Sequence, residues 1–169
     1  CEYKALAVLD KRVLVFKEMC HGCGGCARVC PQEAISEKPK RIGVLTSERS
    51  GDITLVQGRL DVGVAMAPPL IRAVKALIPA QGDAILDAPP GTSCPMVATL
   101  READFVVLVT EPTPFGLHDL RLAVAVVREL DIPCGVVINR AGSGDDSVTA
   151  YCRDEKIPLL AEIPDDRRV

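Results

Sequence analysis

The sequence predicts an α/β fold, a partial parallel sheet with helices, led by a small cysteine-rich segment at the N-terminus. Three observations carry this. Short apolar runs at 84–87, 105–109, 135–139 and 159–163 mostly lack polar–apolar alternation, as strands covered on both faces do. Helical patterns separate them, and strand–helix–strand alternation gives a parallel sheet with right-handed crossovers. Five of the eight cysteines fall at positions 1, 20, 23, 26 and 30.

Those cysteines come first in the chain. Cys20, Cys23, Cys26 and Cys30, closed by Pro31, have the spacing C-x2-C-x2-C-x3-C-P. This is the bacterial ferredoxin run that ligates [4Fe–4S] clusters. Two-residue gaps let a tight loop wrap a small cube, and Gly24 and Gly25 suit the close approach and positive φ of that wrap. Zinc also takes four thiolates, but structural zinc sites usually split them into two separated pairs. In two-cluster ferredoxins the fourth cysteine of such a run serves the other cluster. Cys1-Glu2-Tyr3-Lys4-Ala5-Leu6 echoes Cys30-Pro31-Gln32-Glu33-Ala34-Ile35, with Glu2 where a proline is expected. On that reading Cys1, Cys20, Cys23 and Cys26 bind one cluster, and Cys30 belongs to a second that this chain does not complete. The chain then begins inside a motif and reads as part of a longer protein.

The segment 1–59 also holds apolar runs at 5–9 and 13–16. Residues 42–46 and 53–57 flank a Ser50-Gly51 turn signal, which predicts a β-hairpin. The texture changes near residue 60. Residues 70–77 follow Pro68-Pro69 as a helix. Residues 117–130 have apolar positions at 117, 120, 124 and 127, with Thr113-Pro114 as N-cap and first helical position. A third, more polar helix is expected over 146–155. The 169 residues are 48% hydrophobic, enough for one good core plus a small appendage. A net charge of −3 gives no reason to expect nucleic acid. No apolar run approaches the length of a membrane span. Cysteines in a ferredoxin-like arrangement, without a secretory context, point to reduced thiols in a cytoplasm.

The unusual residues lie at the carboxyl ends of the expected strands, where ligands bind in open parallel sheets. The first strand runs into Asp87-Ala88-Pro89-Pro90-Gly91-Thr92. Asp87 there suits a magnesium–phosphate site and Gly91 a close approach to a terminal phosphate; a rigid turn with a capping Asp reads equally well. The second ends in Thr110-Glu111-Pro112, the third in Asn139-Arg140. The Asn139 amide suits a nucleotide base, or the organisation of its own loop.

In the order Asp87-Ala88-Pro89-Pro90-Gly91, Val109-Thr110-Glu111-Pro112, Val137-Ile138-Asn139-Arg140 and Ala161-Glu162-Ile163-Pro164, the chain resembles the MinD/ParA-type P-loop ATPases. More specifically it resembles their branch with an inserted ferredoxin domain, the cobyrinic acid a,c-diamide synthase-like CobQ/CobB/MinD/ParA nucleotide-binding proteins. The resemblance implies a partial ferredoxin-like domain at 1–36, a hairpin connection at 37–59 and a partial P-loop ATPase-like α/β domain at 60–169. It implies ATP and Mg2+ beside the [4Fe–4S] cluster. Asp87 would be the Walker B aspartate and catalytic residue, and Gly91 the γ-phosphate switch glycine. Asn139 and Arg140 would lie at the adenine, Pro164 on the loop over the base, and Thr110 to Pro112 beside the nucleotide or a dimer partner. It also implies an ATP-dependent homodimer and a redox or Fe–S client protein. The chain departs from the family in one respect: it contains no G-x-x-x-x-G-K-[ST] segment, so by itself it is not expected to hydrolyse ATP. The expected function is coupling of ATP binding or hydrolysis to cluster transfer or electron transfer. The alternatives are a passive electron carrier on an α/β docking scaffold and an ATP-dependent cobyrinate-type amidotransferase.

Of the remaining residues, Cys94 is expected as a small buried residue at a helix start, and Cys134 and Cys152 as packing residues. His21 either donates to cluster sulfur or faces solvent from its loop, and His118 is expected at the surface.

Overall fold

The structure is a computed structural model in which residues 1–166 are described. The chain divides into two compact units, one over Cys1–Leu77 and the other from Ile78 onward. No helix among the described residues is long and apolar enough to cross a membrane.

The first unit contains two antiparallel hairpins. Strands β1 (Leu6–Leu9) and β2 (Arg12–Val15) pair Leu6 with Val15 and Leu9 with Arg12. The turn is short because Asp10 takes φ +54, a left-handed value that Asp tolerates better than most residues. The pairing runs one step further: the Phe16 N–H donates to the Ala5 carbonyl at 2.9 Å, and Ala5 is buried. A 3-10 turn at Lys17–Met19 then leads into the cysteine run and the short helix α1 (Gly25–Val29).

The expected hairpin at 42–57 forms, with longer strands β3 (Gly43–Ser50) and β4 (Ile53–Leu60) around Gly51 at φ +58. Helix α2 (Pro68–Lys75) packs on it. The contact needs a glycine: a Cβ at Gly58 would lie 2.9 Å from Val74 Cγ2 and 3.0 Å from Leu70 Cγ. This helix therefore belongs with the hairpin, and the division between units falls after Leu77, whereas the change of sequence texture lies near residue 60.

The second unit is a three-stranded, all-parallel sheet in the order β5-β6-β7, with β5 at Val106–Thr110, β6 at Cys134–Ala141 and β7 at Leu159–Pro164. Helix α3 (Cys94–Leu100) precedes it, and the crossovers are α4 (Pro114–Glu129) and α5 (Ser147–Asp154). Helix α4 starts where Thr113-Pro114 predicts: the Thr113 hydroxyl accepts from the Gly116 N–H at 3.0 Å. Its residues Leu120, Val124 and Val127 join Leu108, Val136, Ile138, Val148 and Cys152 in one core.

Two expectations are corrected here. Residues 84–87 form no strand, and Ile85 is 99% exposed. The run has β composition, but a ladder needs a neighbour, and none of the described strands pairs with it. Strand β5 is also not covered on both faces. Val106, Leu108 and Thr110 are buried, whereas Val107 and Val109 stand 53% and 65% exposed on the other face.

Candidate metal centre

All eight cysteines are free thiols. Cys1, Cys20 and Cys23 are exposed; Cys26 and Cys30 are half-buried at the two ends of α1, Cys26 in its first turn and Cys30 as its C-cap. The backbone turns through two left-handed glycines, Gly22 at φ +61 and Gly24 at φ +71. Gly24 matches expectation; the other is Gly22 and not Gly25, because Gly25 is already the first residue of α1. A Cβ at Gly25 would lie 3.6 Å from the Cys23 sulfur, so the helix start runs close beside that thiol. The Ala34 N–H donates to Cys30 Sγ at 3.4 Å, which orients this sulfur from the backbone.

Among the described residues no three His, Cys, Asp or Glu side chains are gathered closely enough to hold a metal ion. The loop thus presents its thiols without gathering them. Its donor chemistry nevertheless fits an iron–sulfur cluster: four free thiols lie within eleven residues, on a loop with two glycines in left-handed geometry. The same loop meets the start of the chain. The rings of Tyr3 and His21 stack with centroids 3.6 Å apart and planes 7° from parallel. His21 is an exposed loop residue, and this stack was not foreseen from the sequence.

A second group of expected residues lies at the carboxyl ends of the sheet. Thr110 and Asn139 both line a hollow of about 410 Å3, together with Glu111, Phe115 and Asp119. The Thr110 hydroxyl donates to the Gly116 carbonyl at 2.9 Å, and Asn139 Oδ1 accepts from the Arg140 N–H at 3.0 Å. Arg140, at φ +56, holds its guanidinium 3.6 Å from Glu111 Oε1 and 3.5 Å from Asp165 Oδ1. It thereby ties the ends of all three strands, a role that the sequence signalled only by acidic residues just past β5 and β7. Pro164 pairs with Ala141 at the end of β7. Asp87 and Gly91 are exposed and do not line this hollow; Gly91 has φ +90, which favours glycine.

Cys94 opens α3 as expected but is exposed, not buried. Cys152 is in the core and Cys134 packs against it, as their sequence setting suggested. Burial pushes both thiols up, and Arg128 partly offsets this at Cys134. His118 is at the surface.

Residues 13–36 match the 4Fe-4S binding domain family, so the segment around the cysteine run is an iron–sulfur binding segment. The whole chain is 30% identical over 171 residues to Uncharacterized protein MJ0579 of Methanocaldococcus jannaschii, covering 59% of that protein. It is 27% identical over 165 residues to Uncharacterized protein MJ0578 of the same organism, an alignment that takes in 82% of this chain and 60% of the relative. The chain thus spans about three fifths of the length of the curated relatives it matches. No solved structure matches it.

Proposed function

We propose that this chain is the iron–sulfur and sheet-bearing part of a protein that couples ATP binding or hydrolysis to electron transfer or cluster transfer. The cysteine run carries the reading: the 4Fe-4S match falls on it, and its thiols are free. Cys1, Cys20, Cys23 and Cys26 would hold one [4Fe–4S] cluster, and Cys30 would serve a second. A cluster held there supplies a one-electron redox centre. The chain's own contribution is to fix the sulfurs: Gly22 and Gly24 turn the loop, α1 separates Cys26 from Cys30, and the Ala34 N–H supports the Cys30 sulfur.

The nucleotide half rests on the resemblance to MinD/ParA-type ATPases with an inserted ferredoxin domain, divided at 1–36, 37–59 and 60–169. Support comes from Thr110 and Asn139 meeting in one hollow at the carboxyl ends of a parallel sheet. In this proposal Asp87 and Gly91 act on magnesium and the terminal phosphate, Arg140 and Pro164 flank the base, and ATP closes a homodimer that meets a redox or Fe–S client in the cytoplasm.

One observation favours the passive electron-carrier reading instead. The Thr110 hydroxyl, the Asn139 Oδ1 and the Arg140 guanidinium already have partners within the fold, and Asp87 stands apart from the hollow. The experiment is iron, sulfide and ATP analysis of the anaerobically purified full-length protein. Two clusters give about eight irons per chain, and ATP with magnesium should shift the cluster potential or transfer rate. Stoichiometric zinc without iron refutes the cluster; iron with no nucleotide effect leaves the passive carrier.

A further inference from the structure

The start of the chain is held against the cysteine run by a ring stack, and this stack has a consequence for the cluster's fourth ligand. Cys1 and Cys20 are nineteen positions apart. The hairpin brings their neighbourhoods together: Leu6 pairs with Val15, and the Phe16 N–H reaches the Ala5 carbonyl. From Phe16 the 3-10 turn carries the chain round, with Met19 N–H on the Phe16 carbonyl at 3.1 Å and Cys20 N–H on the Lys17 carbonyl at 3.4 Å. His21 follows at once and lies flat on Tyr3. On the other side, the Lys4 N–H donates to the Cys1 carbonyl at 3.2 Å, closing a turn around Glu2 and Tyr3. Cys1 is therefore two residues from one ring of the stack, a span of at most about 7 Å, and Cys20 is directly beside the other.

We infer that the Tyr3–His21 stack is a clasp that positions Cys1 as the fourth ligand of the cluster held by Cys20, Cys23 and Cys26. The inference rests on the cluster reading above. Cys20, Cys23 and Cys26 lie on one loop and hold three corners by chain connectivity. The fourth corner depends on an exposed cysteine at the far end of a hairpin, and the stack fixes it there. A corner iron without its thiolate is the one lost on oxidation: [4Fe–4S]2+ yields [3Fe–4S]+, Fe2+ and one electron, which ferricyanide takes up to become ferrocyanide. Tyr3 and His21 are positioning residues in this scheme, since neither is a ligand.

The test uses the anaerobically purified full-length protein as wild type, Tyr3→Ala and Tyr3→Phe, each treated with ferricyanide and followed by EPR of the three-iron centre. Tyr3→Ala should raise the rate of iron loss about 10-fold, in the range found when supporting partners of metal ligands are removed. Tyr3→Phe keeps the ring and should behave as wild type. A wild-type rate in Tyr3→Ala, at full initial iron, overturns the inference alone. No iron or sulfide in the wild type overturns the cluster reading and the inference with it. A second readout needs no cluster. Subtracting the emission of Tyr3→Phe from that of the parent isolates the Tyr3 contribution whatever other fluorophores the full-length protein carries. In the metal-free full-length protein, His21→Leu should change this Tyr3 difference emission; an unchanged difference removes the clasp.

Discussion

The hydroxyl of Thr110, at the end of β5, donates to the carbonyl of Gly116 in the first turn of α4 at 2.9 Å. The strand end and the helix start are thus one unit, closed again by the Thr113 cap. Thr110 is buried, so Thr110→Val keeps the shape and removes the bond, at a cost of about 1 kcal/mol. Gly116→Ala should cost more, about 1–3 kcal/mol. Its Cβ would run into the Glu111 carbonyl oxygen and lie 2.9 Å from Thr110 Oγ1, and backbone cannot move aside. Urea unfolding of both variants checks the order; a Gly116→Ala protein as stable as wild type contradicts the packing.

A second prediction concerns helix ends. Helix α5 stops with Lys156 at φ +57, the Lys156 N–H on the Arg153 carbonyl and the Ile157 N–H on the Cys152 carbonyl at 2.8 Å. This is the Schellman arrangement, which normally uses glycine at the left-handed position. Lys156→Gly removes the strain of a Cβ there and should stabilise the chain by about 0.5–1 kcal/mol. Thermal unfolding that shows a lower midpoint for the glycine variant would contradict it.

Helices α4 and α5 end where the sequence places them, at Glu129 with Leu130 as C-cap and at Asp154 with Glu155 as C-cap. The start of α4 was legible, since Thr113, Pro114 and the spacing of Leu117, Leu120, Val124 and Val127 all agree. Its end was legible to within a residue, since the apolar pattern runs to Leu130, the C-cap, although Asp131 at φ +55 stands where a glycine is usual. The 42–57 hairpin was legible from its turn. The lack of a strand at 84–87 was not, because composition reports the tendency of a segment and not whether a neighbour pairs with it. The iron–sulfur segment was legible from cysteine spacing, and the 4Fe-4S family match at residues 13–36 falls on that run. The Tyr3–His21 stack and the Arg140 ties to Glu111 and Asp165 arise from tertiary placement, which no local pattern encodes.

Thiol chemistry gives a third prediction. In the metal-free protein, iodoacetamide should modify exposed Cys1, Cys20, Cys23 and Cys94 first and buried Cys152 last. Burial raises the Cys152 and Cys134 thiols above their ordinary range. The native state therefore holds these protons more tightly than the unfolded chain. This contribution is fully present below the unfolded thiol value of about 8.5 and is lost as pH rises through the higher native values. Stability should fall with alkaline pH, and less steeply in Cys152→Ala. Denaturant unfolding across that range measures both slopes; a Cys152→Ala slope equal to wild type removes Cys152 as the cause.

The last prediction separates the two readings of Asn139. Its Oδ1 already accepts from the Arg140 N–H, so Asn139→Ala would disturb the loop as well as any base contact. Asn139→Asp is the cleaner change. It keeps an oxygen for the Arg140 N–H, replaces the amide donor with a carboxylate oxygen, and alters the sheet core little because Asn139 lines the hollow and is not part of the core cluster. If Asn139 organises only its own loop, the full-length protein should keep its stability and its ATP affinity. If its amide also reads a base, the fold should hold while the preference between ATP and GTP shifts by about 1–2 kcal/mol, as for loss of one buried hydrogen bond. Calorimetric titration of both nucleotides against wild type and Asn139→Asp, with the unfolding midpoint as control, decides between them. An unchanged preference at unchanged stability assigns Asn139 to the loop and strengthens the passive electron-carrier reading, because the hollow at the ends of β5 and β6 would then lack a base-reading side chain at Asn139.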